Sequence, residues 1–383
     1  MDRRRFLRTG AAAALTGLFA GCAGPEEAGG NGTTTTESGD GTDEDPGTTT
    51  AAEQNSYAVS MPPVGEVTFE EVPQRAAVYC AGYADMLVAL GHGDAIASVG
   101  QLGRFPTTGY EELGVPVDTD EIADLTQQGI SRETFLSIDA DVHLIDPNWL
   151  SNVFDELSED DVAQIEERVG PFFGNTIFRR TDEWHDYEYL TMYEAFEKVA
   201  QVFQESERYA AFERFHDAIL DSVADAVPNE GPAAALVWGG NEEPTSFSPY
   251  RLAGRGANKK AFHDLNVRDA FADSGVEGLS TGTRSEVDYE TLLEVDPEVL
   301  FVRGHEGKTR TEFEDTVLAF MQDHETASRI SAVEEGAVYR GGPIYLGPIQ
   351  HLYLLERVAT RLYPDQVSTP LFDRDELAAI ITD

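Results

Sequence analysis

Apolar residues return every three or four positions through Tyr209, Phe212, Phe215, Ile219 and Val223, the period of a helix with one buried face. The spacing predicts a helix over residues 206–227. Pro228 ends it, because proline cannot continue the backbone hydrogen-bond ladder. At the α-helical rise such a segment is about 33 Å long, roughly the width of a small domain. The same period starts earlier, at Leu190, Tyr193, Phe196, Val199 and Phe203, which places a joint between two helices at residues 204–206.

On either side of this helix stands one short phrase. Residues 131–145 read SRETFLSIDADVHLI and residues 288–302 read DYETLLEVDPEVLFV. A shift of 157 residues sets Glu133 on Glu290, Thr134 on Thr291, Leu136 on Leu293, Asp139 on Asp296 and Val142 on Val299. Each phrase is a short amphipathic helix, an acidic turn and an apolar β-rich run. Together they predict two similar α/β lobes joined by one stiff helix.

The short apolar runs fit this reading. Residues 76–80, 96–99, 142–145 and 176–179 are the expected strands of the first lobe, with a helix over 84–90 closed by Gly91. Residues 233–238, 299–302 and 337–339 are those of the second, with helices over 312–321 and 349–362. Alternating strands and helices with short connections imply parallel sheets wrapped by helices, two Rossmann-like lobes of the α/β class. The expected organisation is a signal at 1–21, a tether at 22–56, a first lobe at 64–204, a linking helix at 205–228 and a second lobe at 229–382. Ligands of such sheets bind beyond the carboxyl ends of the strands. That singles out loops 81–85, 146–149, 179–189, 239–258, 303–308 and 341–347.

The amino terminus reads as a targeting segment. Arg3, Arg4 and Arg5 precede a short apolar run over residues 9–20, too short for a permanent membrane span. Paired arginines before Phe6 and Leu7 resemble a twin-arginine export signal. Residues 18–22, LFAGC, resemble a lipoprotein cleavage box, with Phe19 a departure from leucine, so Cys22 is the expected lipid attachment site. The plainer alternative is a cleaved signal with an incidental cysteine. Residues 23–54 hold mostly Gly, Thr, Glu and Asp and cannot bury enough surface to offset their ordering, which makes them a tether. Asn31-Gly32-Thr33 within it is a glycosylation sequon.

Charge then narrows the setting. Seventy acidic against 27 basic residues give a formal charge of −43, spread over the whole chain. Strong ionic screening relieves the self-repulsion such a charge brings, so a halophile's solvated surface fits best. Nucleic-acid binding needs a basic face and is excluded. After Cys22 only Cys80 remains, so no internal disulfide is expected and the core must hold the fold.

The catalytic strings are weak. Gly278-Leu279-Ser280-Thr281-Gly282 spells a nucleophile elbow, but no apolar strand precedes it, and a surface turn is the expectation. Gly307-Lys308-Thr309 lacks the first glycine of a P-loop, since Val302 stands there. His185 and His305 fall in cleft loops without a partner histidine nearby in sequence, the usual pattern of a structural histidine.

The scarce arginines are more telling. Arg179, Arg180, Arg251, Arg255, Arg303 and Arg340 all fall at or just beyond expected strand ends. Guanidinium forks suit carboxylates and phenolates, so an anion-receiving cleft is expected. Trp149, Trp184, Trp238, Tyr250 and Tyr345 lie in or beside the same loops as flat apolar walls. The competing reading is that these arginines pair with the abundant acids. The 157-residue shift also sets Asp146 on Arg303 and Asn148 on His305, loops that a two-fold axis brings face to face.

The layout resembles the substrate-binding lipoproteins of ABC importers for ferric siderophores and cobalamin, over residues 64–363. Its marks are Gly82-Tyr83-Ala84-Asp85 after the first strand, the phrase in each lobe, the single linking helix, and Tyr339 and Leu362-Tyr363-Pro364 near the end. Ala140 departs from the usual proline, and loop 239–258 is long. The resemblance implies a ligand, an Fe(III)-siderophore above all with cobalamin or haem as alternatives, in a shallow interlobe cleft. Tyr83, Trp149, Arg179, Arg180, Trp184, Trp238, Tyr250, Arg251, Arg303, His305, Arg340 and Tyr345 are the candidate ligand residues. Glu133 and Glu290 map to the acids that dock on the permease, whose ATPase is the further partner. The expectation is a monomeric, extracytoplasmic, membrane-anchored binding protein with no catalytic residue, no cofactor and no metal ligand of its own. The rivals are a secreted hydrolase using Ser280 and a sensor domain that passes ligand state to a membrane partner.

Overall fold

The computed structural model describes residues 56–278 and 285–383, so the signal, the tether with Cys22 and the turn with Ser280 lie outside the described residues. A hairpin of β1 (Tyr57–Met61) and β2 (Gly65–Phe69) opens the described chain, ahead of the expected start at residue 64. The first lobe holds β3 (Ala76–Val78), β4 (Ile96–Val99), β5 (Ala123–Asp124) and β6 (Val142–Leu144), all parallel, in the order β5-β4-β3-β6. The second holds β7 (Ala233–Trp238), β8 (Ser248–Tyr250), β9 (Arg268–Asp269), β10 (Val299–Arg303) and β11 (Val338–Arg340). There β11, β10 and β7 run parallel, while antiparallel β8 and parallel β9 both pair with β7. Every residue of β3, β6 and β10 is buried, as parallel strands covered by helices on both faces require.

The repeated phrase folds alike in both lobes. Helix Arg132–Ile138 starts where Ser131 accepts from the Thr134 amide and stops at Asp139, which takes a left-handed φ of 53°. Helix Tyr289–Val295 starts where Asp288 accepts from the Thr291 amide and stops at Asp296, at φ 44°. An aspartate tolerates this conformation better than most side chains, which suits it to the turn that sends the chain into the next strand. That strand then joins the lobe's first strand in parallel, with Val142 opposite Ala76 and Val299 opposite Ala234.

The chain passes between the sheets through helices Met192–Val202 and Ser206–Ala226. The joint falls where the periodicity placed it, with Gln204 at φ 57°. Tyr209, Phe212, Phe215, Ile219 and Val223 are buried along the long helix, as the spacing demands, and so is His216. Two expectations need correction. Residues 176–179 form no strand. The sheet continues there only as a bridge between Phe172 and His143, and the Ile177 carbonyl instead accepts from the Ala257 amide of the other lobe at 2.9 Å. The helix expected over 312–321 is a longer run, Arg310–Phe313 and Ala319–Asp323 with a π-helical turn at Glu314–Leu318 between them.

The lobes are fastened by polar contacts as well as by the linking helix. Helix Ala81–Ala89 crosses the start of helix Pro348–Leu362 so closely that a Cβ on Gly82 would lie 2.7 Å from the Leu346 carbonyl oxygen. Asp85, fully buried, accepts from the Ile349 amide at 2.8 Å, the Gln350 amide at 3.3 Å and the Tyr110 hydroxyl at 2.6 Å. One lobe's carboxylate thus caps the other lobe's helix, satisfying amides that have no partner in their own helix. Burial pushes the Asp85 carboxyl up to about 7 against the pull of these donors. On the other side of helix Pro348–Leu362, His351 Nε2 lies 2.8 Å from Asp264, which also holds Lys260, and His351 Nδ1 lies 3.2 Å from His216 Nε2. Burial would raise Asp264, but the His351 bond and the Lys260 ammonium hold it near 2.

Replacing Asp85 by Ala removes a cap and strands the buried Tyr110 hydroxyl, a loss of about 3 kcal/mol. Denaturant unfolding at about pH 8, in constant molar salt, measures it; an unchanged midpoint would show that the cap does not fasten the lobes.

His143, His185, His216, His305 and His351 are all buried, and burial lowers each, His143 and His185 to about 4 and His216 to about 2. Unfolded, each binds a proton near pH 6.5 that the folded chain refuses, so stability is present above about 6.5 and falls as pH drops. Asp85, raised to about 7, has the opposite sign between about 4 and 7, and Asp146, also raised by burial, adds to it, two groups against five. The unfolding midpoint at constant salt is therefore expected to fall between pH 7 and 5. A flat or rising midpoint would contradict the neutral burial of these rings.

Candidate ligand cleft

The carboxyl ends of the two sheets face each other across an aromatic seam. Tyr79, just past β3, meets Tyr345, just past β11, with ring centres 6.0 Å apart, and Phe178 meets the same ring edge-on at 5.0 Å. Trp149 follows β6 and packs against Tyr79 at 6.0 Å, Phe178 at 5.0 Å and Trp184 at 6.2 Å. Trp238 ends β7 and lies under the Arg104 guanidinium at 4.5 Å. The walls meet at Tyr345, so the seat is shallow, and half-buried Arg104, Trp184 and Trp238 form its rim.

Two cations stand in this seam. Arg179 lies 5.3 Å over both Trp149 and Phe178 and is gripped by buried Asp182 at 2.7 and 2.9 Å. Such a fork keeps the guanidinium plane fixed against the rings. Arg104 has no carboxylate within ion-pair distance among the described residues, and its charge favours the ionised form of Tyr79, Tyr250 and Tyr345, whose hydroxyls burial drives upward. It is the cation there with charge to spare.

Arg303 sits deeper than the sequence suggests. It is fully buried, donating Nε to the Gly341 carbonyl at 3.3 Å and Nη2 to the Asn258 carbonyl, with Tyr250 at 4.8 Å. Burial lowers it to about 10. Lys259, also buried, donates to the Arg255 carbonyl at 3.1 Å, and burial with the nearby Arg303 charge brings it to about 8. Asp146, the counterpart of Arg303 under the 157-residue shift, is buried too and binds the Thr176 hydroxyl at 2.7 Å, the Asn148 amide at 3.0 Å and the Tyr187 hydroxyl. The repeat thus places a charged loop-holder at the same strand end of each lobe, with opposite sign. Next to the seam, Trp149 Nε1, Arg303 Nη1 and Asn258 Nδ2 are buried donors with no hydrogen-bond partner among the described residues.

The remaining candidates divide. Tyr250 and Tyr345 belong to the seam, and His185 lies between Trp184 and Tyr187 at its flank. Arg180 donates to the Tyr187 carbonyl at 2.8 Å, and its amide bonds the Arg255 carbonyl of the other lobe at 3.3 Å. Tyr83 is a strut whose hydroxyl donates to the Asn175 carbonyl at 2.8 Å. Arg251 pairs with Asp269 at 2.9 Å and also binds the Val276 carbonyl. His305 bonds the Gly239 carbonyl at 2.6 Å and so pins two loops of its own lobe. Arg340 reaches the Lys308 carbonyl and lines a separate interlobe cavity of about 490 Å³ with Tyr110, Lys308 and Tyr353. Glu133 and Glu290 are exposed in the first turns of the two matched helices, with Arg132 3.3 Å from Glu133. Among the described residues no three His, Cys, Asp or Glu side chains stand together as a metal site, and no helix is long and apolar enough to cross a membrane.

Sequence reasoning passed over Arg104, Tyr79 and Phe178. Arg104 follows β4, so the strand-end rule that picked the other loops would have found it. Tyr79 and Phe178 were hidden inside segments read as strands.

The family model for the periplasmic binding protein matches residues 77–345. No curated protein matches the chain. Among solved structures, Ceue of Helicobacter pylori with Ni(II) bound has a TM-score of 0.58 at 12% identity, covering 85% of this chain and 96% of its own. The petrobactin-binding protein YclQ of Bacillus subtilis has a TM-score of 0.56 at 15% identity, covering 80% of this chain and 99% of its own. The iron uptake ABC transporter substrate-binding protein PiuA of Streptococcus pneumoniae has 0.54 at 15%, covering 80% and 99%. At these identities the likeness is one of fold, while the family match spans most of the described chain. The chain belongs to the periplasmic binding protein family, whose members bind solutes rather than transform them.

Proposed function

We propose that this protein is the extracytoplasmic substrate-binding component of an ABC importer and that it carries an anionic Fe(III)-chelate of the siderophore class in the seam between its lobes. The observation that carries the reading is the aromatic seam at the opposed strand ends, with Arg104 on its rim, lacking a carboxylate partner among the described residues, and Arg179 held flat beside it. Aromatic faces and guanidiniums suit the rim of a ready-made chelate, whose oxygens already surround the metal. A bare ion would instead require a cluster of carboxylates or imidazoles. The structural relatives whose names mention petrobactin and iron uptake point the same way.

A charge-assisted contact contributes about 1.5–3 kcal/mol, so Arg104→Ala is expected to weaken ferric-chelate binding roughly ten- to a hundredfold while stability stays unchanged. Isothermal titration calorimetry in molar salt reads the affinity. Arg303→Ala, by contrast, strands two buried carbonyls and is expected to lower the unfolding midpoint as well. Wild-type affinity in Arg104→Ala would rule the rim cation out of recognition.

The two exposed glutamates of the repeated helices supply matched charges, one per lobe, for arginines of a permease. Glu133→Arg or Glu290→Arg turns that attraction into repulsion and is expected to abolish uptake of labelled iron by cells without changing the affinity of the purified protein. Full uptake by both variants, or equal loss of ligand affinity, would contradict a docking role.

A further inference from the structure

A second group of arginines gathers away from the aromatic seam, at the edge of the second lobe. β11 is the last strand of its sheet, bordered by the segment Arg310–Phe313 and the helix Pro348–Leu362. Between them lies a groove of about 60 Å³, with Arg310, Arg340, Arg357 and Arg361 around buried Phe301 and Val338. Two carboxylates accompany these four guanidiniums: Glu314, 2.5 Å from Arg310, and Glu306, 3.2 Å from Arg357. Arg340 gives Nη1 to the Lys308 carbonyl. Arg361 has the Tyr339 ring at 6.0 Å and no carboxylate within ion-pair distance among the described residues. Arg357 Nε is buried without a hydrogen-bond partner there.

The groove is therefore a local excess of positive charge on a chain whose formal charge is −43. Its guanidiniums act on one another: after burial, Arg357 lowers Arg340 and Arg310 lowers Arg361, which Glu306 and Glu314 offset in part. Such crowding costs Coulomb energy that a bound anion would offset, and partial burial makes both terms larger than in water. At about 60 Å³ against about 490 Å³ for the interlobe cavity, the groove is small and suits one compact ion better than a chelate. Guanidinium forks converging from several sides match the oxygens of a tetrahedral oxyanion.

We infer that the groove beside β11, between Arg310, Arg340, Arg357 and Arg361, is a binding site for a compact tetrahedral oxyanion of the phosphate or sulfate type, separate from the ligand cleft. Arg361 is the residue to change, because no carboxylate among the described residues lies within ion-pair distance of it and its loss leaves the cleft untouched.

The full chain, kept in molar sodium chloride, is titrated with inorganic phosphate and followed by ³¹P line broadening, with sulfate as competitor. Saturable broadening is expected, reversed by sulfate and weakened about tenfold or more in Arg361→Gln. Arg361→Lys keeps the charge but loses the fork, and should fall between the two. Arg104→Ala should bind phosphate like the wild type, which separates this site from the cleft. Absence of saturable broadening in the wild type, or equal broadening in Arg361→Gln, would overturn the proposal.

Discussion

Two lobes joined by one helix need a second fastening if their strand ends are to face each other at a fixed distance, and a buried carboxylate supplies it. Asp85 reaches from the first helix of one lobe to the first amides of helix Pro348–Leu362. The contact depends on two glycines. Gly82 lets the helix lie against the Leu346 carbonyl, and a Cβ on Gly347 would fall 2.5 Å from Asp85 itself. Tyr110 and Gln350 complete the carboxylate's surroundings, so its burial cost is offset in part by hydrogen bonds rather than by an opposite charge. The imidazole pair of His216 and His351, anchored on Asp264, ties the same helix to the linking helix on its other side. A large hinge motion would have to break both networks. A shallow, preformed seam of Tyr79, Phe178 and Tyr345 is the natural companion of that restraint.

Much of this architecture was legible in the chain because it rests on period and repetition. The spacing of Tyr209 to Val223 marked the linking helix, and the doubled phrase marked the two lobes down to the aspartates that end their helices. The string Gly82-Tyr83-Ala84-Asp85 was visible as a mark, but its use was not, since its partners stand more than 260 residues away at Ile349 and Gln350. Segment 176–179 looked like a strand because its centre, Ile177 and Phe178, is apolar. The Ile177 and Phe178 carbonyls accept from the Ala257 and Asn258 amides of the second lobe, a tertiary choice that local pattern cannot show.

The cleft was harder to read, for an electrostatic reason. Strand-end position picked out the arginines as a group, but did not say which stay in contact with solvent. Arg251 is taken up by Asp269, Arg303 by backbone carbonyls under Tyr250, and Arg340 by the opposite edge of the sheet. Arg104, which keeps its charge on the rim, lies after a strand whose loop was not singled out. In a chain with so many acids, the informative cations are the few that the fold leaves without a carboxylate.

All three tryptophans, Trp149, Trp184 and Trp238, line or border the seam, so their emission reports on what enters it. The most direct test of the account is a fluorescence titration of the native protein with ferric chelates of the catecholate and hydroxamate types in molar salt, beside the same chelators without iron. Saturable quenching with one ligand per chain is expected for at least one ferric chelate, with weaker binding of its metal-free form. Quenching that stays linear with concentration for every chelate tested would contradict it.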